Sequence, residues 1–206
     1  MGVDALCCEG PVDRAGLRRR RIIEAARALF VANGFHATGV AQIARESGVA
    51  VGQLYRDYAA KEDIVAEIVT GDCETFMARA ALAEAIERRD ESAVWNWLRN
   101  FIEPDDDADA DPMFAEIVAE SARNERIAGI FARNRDEVTD CMRKALMLLA
   151  PGDALAKRRE LLADLILTQS LGVTQHRLID PMFDAKRLTD LVMTVITREI
   201  EAMRDS

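Results

Sequence analysis

The sequence predicts an all-α protein of about nine helices, a small N-terminal three-helix unit joined to a larger helical body. Three observations point there. Half of the 206 residues are hydrophobic, and Ala, Leu, Glu and Arg abound while Gly and Pro are scarce. Apolar residues recur at i, i+3, i+4 and i+7 in one segment after another, and no segment reads as a convincing strand. Charge is unevenly spread: residues 11–58 carry eight Arg/Lys against four Asp/Glu, although the whole chain has a net charge of −9. A basic head on an acidic body suits a unit that meets a polyanion, tied to one that does not.

Residues 1–13 mix Gly, Pro, acids and Cys7-Cys8 without periodicity and read as a disordered tail. A first helix follows over 15–33, with Leu17, Ile22, Ala25, Ala26, Leu29 and Phe30 on its core side and Gly34 as its stop. Thr38 is placed to cap a second helix, whose Val40, Ile43 and Ala44 form one apolar side. Ser47-Gly48-Val49 interrupts it, and a third helix over 51–58 places Val51, Leu54 and Tyr58 together. Lys61 opens a long helix over 61–89, broken in pattern at Thr70-Gly71-Asp72, where glycine softens a joint or is simply tolerated. Further helices read over 92–102, 112–124 and 126–149, the last stopped by Ala150-Pro151-Gly152. Asp153 and Asp184 are placed to cap the final two helices, over 153–177 and 184–203.

The segment Thr38 to Tyr58 carries the sharpest signal. Two short helices meet at a glycine turn, and Gly52, Gln53, Tyr55 and Arg56 point away from the apolar side of the second. That outward set holds amide and guanidinium donors, a phenol and a glycine that permits close approach, which suits a DNA major groove. Residues 22–68 resemble the DNA-binding domain of the TetR family of bacterial transcriptional regulators. The resemblance is carried by Ala26, Phe30, Gly34, Phe35, Thr38, Ile43-Ala44, Ser47-Gly48-Val49, Gly52, Leu54-Tyr55, Tyr58, Lys61-Glu62 and Ile64. Gly39, Ala50 and Ala60 depart from it, standing where polar caps are common.

The resemblance implies a domain over 14–60 that binds DNA and a domain over 61–206 that binds a ligand and dimerises. Arg18 and Arg21, within the run Arg18 to Arg21, are expected at phosphates or in solvent. Thr38, Gly39 and Val40 stand at a helix N-terminus whose amides suit a phosphate. Val51, Gly52 and Tyr58 complete the interface, Tyr55 and Lys61 are placed at phosphates by the resemblance, and Gln53 and Arg56 are the candidates for base edges. Asp57 is expected to orient Arg56.

In the body, Phe76, Trp95, Phe101, Phe114, Met142 and Gln169 are the candidates for lining a pocket for a small, mostly apolar effector, with His176 a further polar possibility; core filling is the plainer reading of each apolar one. Leu188, Leu191, Val192, Val195, Ile196, Ile200 and Met203 form a broad stripe that one neighbouring helix cannot cover alone. By resemblance, the last two helices meet a second copy in a homodimer. The expected DNA partner is therefore a palindromic double-stranded operator.

No cofactor, metal or catalytic residue is assigned. His36 and His176 are the chain's two histidines, no Glu-x-x-His pair exists, and no serine lies in a G-x-S-x-G turn. Cys7, Cys8, Cys73 and Cys141 lack zinc-ligand spacing and read as buried or tail thiols of a reducing compartment. Asp105, Asp107, Asp109, Asp111 and Glu116 follow calcium-loop spacing, but Ala110 and Pro112 remove the turn it needs, so a solvated loop is expected. With no long apolar run and no basic-then-apolar leader, a cytoplasmic protein without membrane contact is expected. A helical protein-interaction module and a helical enzyme without DNA binding stand as alternatives.

Overall fold

The computed structural model describes residues 13–103, 110–180 and 182–206. Cys7, Cys8 and the acidic positions Asp105, Asp107 and Asp109, with the expectations attached to them, lie outside those residues. Ten α-helices and no strand occur among the described residues, in two compact units that divide between Ile64 and Val65.

The first unit, the head, is built on α1 (Arg14–Ala37), α2 (Val40–Ser47) and α3 (Val51–Asp57). Asp13 begins it, its Oδ1 accepting the Gly16 N–H at 2.9 Å. Ile22, Ala25, Ala26 and Phe30 are buried along α1, whereas Leu17 is half exposed, because it lies on the helix before its contact with the head core begins. At Gly34 the backbone turns to φ 79°, which interrupts α1 and returns Phe35 onto Phe30 with ring centroids 5.6 Å apart. Gly48, at φ 65°, closes α2 by donating its N–H to the Ala44 and Arg45 carbonyls. The missing side-chain caps at two departures from the family pattern are offset from inside the helices. Gln42 Oε1 accepts the Gly39 N–H at 2.7 Å, and Asp63 Oδ2 accepts the Ala60 N–H at 2.8 Å.

Thr38 does not cap α2; Gly39 occupies that position. The Thr38 hydroxyl is fully buried and donates backward, to the carbonyls of Gly34 at 2.9 Å and Leu29 at 3.1 Å. It thereby ties the chain after the break in α1 back onto that helix. Val51, expected beside Leu54 and Tyr58 on the core side, is 43% exposed while those two are buried. Tyr58 lies beyond the helix in extended backbone, φ −139°, so helical spacing does not set its direction, and Val51 sits on the free first turn.

The second unit, the body, comprises the remainder of α4 (Lys61–Met77) with α5 (Arg79–Glu87), α6 (Glu91–Ile102), α7 (Ala110–Ser121), α8 (Glu125–Leu149), α9 (Ala156–Ile179) and α10 (Ala185–Arg204). Its core gathers Trp97, Leu98, Phe101 and Ile102 from α6, Met142, Leu146 and Leu149 from α8, Ile166 and Val173 from α9, and Ile196 and Ile200 from α10. Asp90, Asn124 and Asp184 cap α6, α8 and α10 through their side chains. Asp153 instead lies in a 3-10 turn, and α9 starts three residues later without a side-chain cap.

The expected break at Thr70-Gly71-Asp72 is not there. α4 runs through Gly71, and the chain turns at Ala78, whose φ of 41° is the left-handed conformation that alanine seldom adopts. A Cβ at Gly71 would meet nothing within 4 Å. Gly71→Ala is therefore expected to stabilise the chain by about 0.5–1 kcal/mol, read as a raised thermal midpoint, by removing unfolded-state entropy. A lowered midpoint would show that the helix needs its glycine.

Candidate nucleic-acid interface

The outward face of α3 is laid bare by its own brevity. Leu54 anchors the helix, leaving Val51, Gly52, Tyr55 and Arg56 exposed and Gln53 half-buried between them. Tyr55 is 53% exposed, and no atom lies within 4 Å of a Cβ built on Gly52, so a surface can approach the backbone there. Gln53 Oε1 accepts from the Arg56 guanidinium at 3.2 Å, so the two base-edge candidates touch. Gly39 is exposed and Val40 half-buried at the start of α2, whose amide end carries partial positive charge. Arg14, Arg19, Arg20 and Arg21 are exposed along the start of α1.

Four expected contact residues have other work. Arg18 forms a two-bond ion pair with Asp57, Nε to Oδ2 at 2.6 Å and NH2 to Oδ1 at 2.9 Å. This pair holds the Asp57 carboxyl below its ordinary range, and Asp57 turns to Arg18 rather than orienting Arg56 directly. Thr38 is buried, its hydroxyl committed to α1, and Tyr58 is only 4% exposed. Lys61 donates its ammonium to the Phe35 carbonyl and, at 2.9 Å, to that of Thr38, while lying 3.9 Å from the centre of the Phe35 ring. The end of α1 thus takes a charge-assisted cap from a residue 26 positions later. Lys61→Ala is expected to destabilise the head by about 2 kcal/mol and to speed amide hydrogen exchange around residues 29–38. A lysine serving phosphate alone would leave that exchange unchanged.

The pocket candidates separate. Phe101 and Met142 are core residues, whereas Phe76 is partly exposed and reaches Phe101 with centroids 5.0 Å apart. Trp97, not Trp95, joins this aromatic group, at 5.6 Å from Phe101, and its Nε1 donates to the Met77 carbonyl at 2.7 Å. Trp95 and Gln169 are half-buried. Phe114 meets Phe131 edge-on at 5.7 Å, in a separate pair. His176 is exposed and stacks on Phe183 at 4.8 Å. Hydrophobic periodicity gives no sign of two buried hydroxyls: Ser170 donates to the Phe101 carbonyl at 2.8 Å, while Thr189 Oγ1 has no hydrogen-bond partner among the described residues. Cys73 and Cys141 are half-buried free thiols, and burial pushes both up from the ordinary thiol range.

On α9 and α10 several large apolar side chains face outward, Leu161 at 72% and Leu191 at 62% exposure, with Leu165, Leu171, Ile179 and Val195. The stripe expected on α10 is therefore divided: Val192, Ile196, Ile200 and Met203 are buried within the subunit, while Leu191 and Val195 are not. Among the described residues no helix is long and apolar enough to cross a membrane.

Two short helices meeting at a glycine turn against a third, with the outer face of the last one open, make a helix-turn-helix head. Residues 22–68 match the family described as bacterial regulatory proteins, tetR family. The HTH-type transcriptional regulator UidR of Escherichia coli K12 is 28% identical over 123 residues, 59% of this chain and 61% of the relative. This chain thus spans about six-tenths of the length of that curated relative. The HTH-type transcriptional repressor KstR2 of Mycobacterium tuberculosis H37Rv is 39% identical over 62 residues, 30% of this chain and 31% of KstR2. A solved SmeT–triclosan complex shares the fold with a TM-score of 0.71 at 20% identity, covering 87% of this chain and 89% of its own.

Proposed function

We propose that the protein is a ligand-responsive transcriptional regulator: a repressor that binds a palindromic operator as a homodimer and leaves it when a small, mostly apolar molecule binds the body. The observation that carries this reading is the open face of α3, where Val51, Gly52, Tyr55 and Arg56 stand exposed beside Gln53. The exposed Arg14, Arg19, Arg20 and Arg21 supply sequence-independent attraction to phosphates, and Gly39 and Val40 present the α2 amides. Gln53 suits adenine, Arg56 suits guanine, and Val51 offers an apolar contact for a thymine methyl. The partly exposed Phe76 against Phe101 and the apolar faces of α9 and α10 support the proposed role of the body. Binding of triclosan by SmeT, a protein of the same fold, and the repressor name of KstR2 support the same reading. The site of action is the cytoplasm, and no catalytic role is proposed.

Selection of bound sequences from a pool of random duplexes tests the proposal. The purified chain is expected to enrich a two-fold symmetric site, with affinity falling steeply as salt rises. Arg56→Ala should relax preference at one position in each half-site by ~1–3 kcal/mol while leaving the other positions intact. Enrichment of no sequence at moderate ionic strength would overturn the reading.

A further inference from the structure

Asp57 directly follows Arg56, near the surface where phosphates would lie, and a bare carboxylate there would repel them. It is not bare. Both its oxygens are held by Arg18 from α1, at 2.6 and 2.9 Å, leaving the Asp57 side chain 9% exposed. Gln53, one turn earlier on α3, helps to hold this carboxylate below its ordinary range. The Gln53 amide oxygen in turn accepts from Arg56 NH1 at 3.2 Å. The Arg18–Asp57 pair and the Gln53–Arg56 pair thus stand within one turn of each other on α3.

We infer that Arg18 and Asp57 are positioning residues for base reading, holding Gln53 and Arg56 in one arrangement before the duplex arrives. Gln and Arg side chains populate many rotamers, and ordering them in advance lowers the entropy lost on binding. It also narrows the set of bases that the pair accepts, because a held amide cannot turn over to present donor for acceptor. The anchor lies on the longest helix of the head, so the reading pair inherits the rigidity of α1 rather than of the seven-residue α3. This inference rests on the DNA-binding reading above.

The test compares the full-length chain with Asp57→Ala, Arg18→Met and the double variant, using the duplex selected from the random pool, its single-base variants and an unrelated duplex. Asp57→Ala removes a negative charge beside the phosphates, so affinity for the unrelated duplex is expected to hold or rise. Discrimination between the selected duplex and its base variants should fall about tenfold. Arg18→Met should lose discrimination to a similar degree while binding the unrelated duplex more weakly. The double variant should discriminate no worse than the weaker single variant, since the pair acts as a unit. Arg18→Lys, which keeps the charge but not the two-bond fork, gives an intermediate loss and carries the test if Asp57→Ala melts below the assay temperature. A purely structural pair would lower the melting temperature and all affinities together, with discrimination unchanged, and that result overturns the inference alone. A wild-type chain that selects no sequence overturns the DNA-binding reading, and this inference with it.

Discussion

On the proposed homodimeric DNA-binding function, a chain carrying Leu161→Glu and Leu191→Glu together is expected to sediment as a monomer and to bind the selected two-fold symmetric duplex at least about a hundredfold more weakly than the wild type. Both leucines lie mostly in solvent, so their replacement leaves the subunit's own core intact. A fully buried leucine contributes roughly 1.5–3 kcal/mol, and a carboxylate forced into the same contact must be desolvated without a partner. Two such sites on each of two subunits exceed what a moderate dimer can absorb. Operator affinity follows because the second head binds at an effective concentration set by its tether to the first, an advantage a monomer lacks. Sedimentation as a dimer, with helicity unchanged, would place the assembly surface elsewhere than on α9 and α10.

Arg159→Met is expected to lower the stability of the body by about 3 kcal/mol, a fall of roughly 6–12 °C in thermal midpoint for a chain of this size. Arg159 is buried to within 3% exposure, yet among the described residues its hydrogen-bond partners are two carbonyls and no carboxylate. Its NH1 donates to the Ala150 carbonyl at 2.8 Å and to that of Gly152 at 2.7 Å. The negative end of the 25-residue α8 serves as the counter-charge, and Arg204 adds a bond to the Leu149 carbonyl. Methionine keeps the volume and removes the donors, so the orphaned carbonyls account for the loss. A midpoint unchanged within a degree or two would show that solvent reaches those carbonyls.

Sequence pattern conveys the head well because its turns are decided locally. Gly34 and Gly48 both adopt positive φ at the positions where the hydrophobic pattern stops, and Leu54 is buried where its spacing puts it. Side-chain partners across the fold are another matter. Arg18 reads as one of four consecutive arginines, and nothing in that run indicates that Asp57, 39 residues on, will take the Nε and NH2 donors of its guanidinium. Lys61 resembles a phosphate ligand because its charge is visible in sequence and its carbonyl partners are not. In the body, Gly71 looks like the breaker, whereas Ala78 is the residue that turns, a strain no propensity scale assigns to alanine. Trp95 and Trp97 show the limit of periodicity: their spacing separates them, but only packing decides which one reaches Phe101.

The way α1 is closed has a consequence for biosynthesis. The peptide bonds at its far end are answered by the hydroxyl of Thr38 and then by the ammonium of Lys61, so the segment up to Asp57 leaves the ribosome with that end unsealed. The nascent head completes its seal only when the opening turn of α4 emerges, which makes residue 61 the earliest point at which the growing polypeptide locks. A proteolytic nick just ahead of Lys61 would undo the same latch and loosen the head from behind.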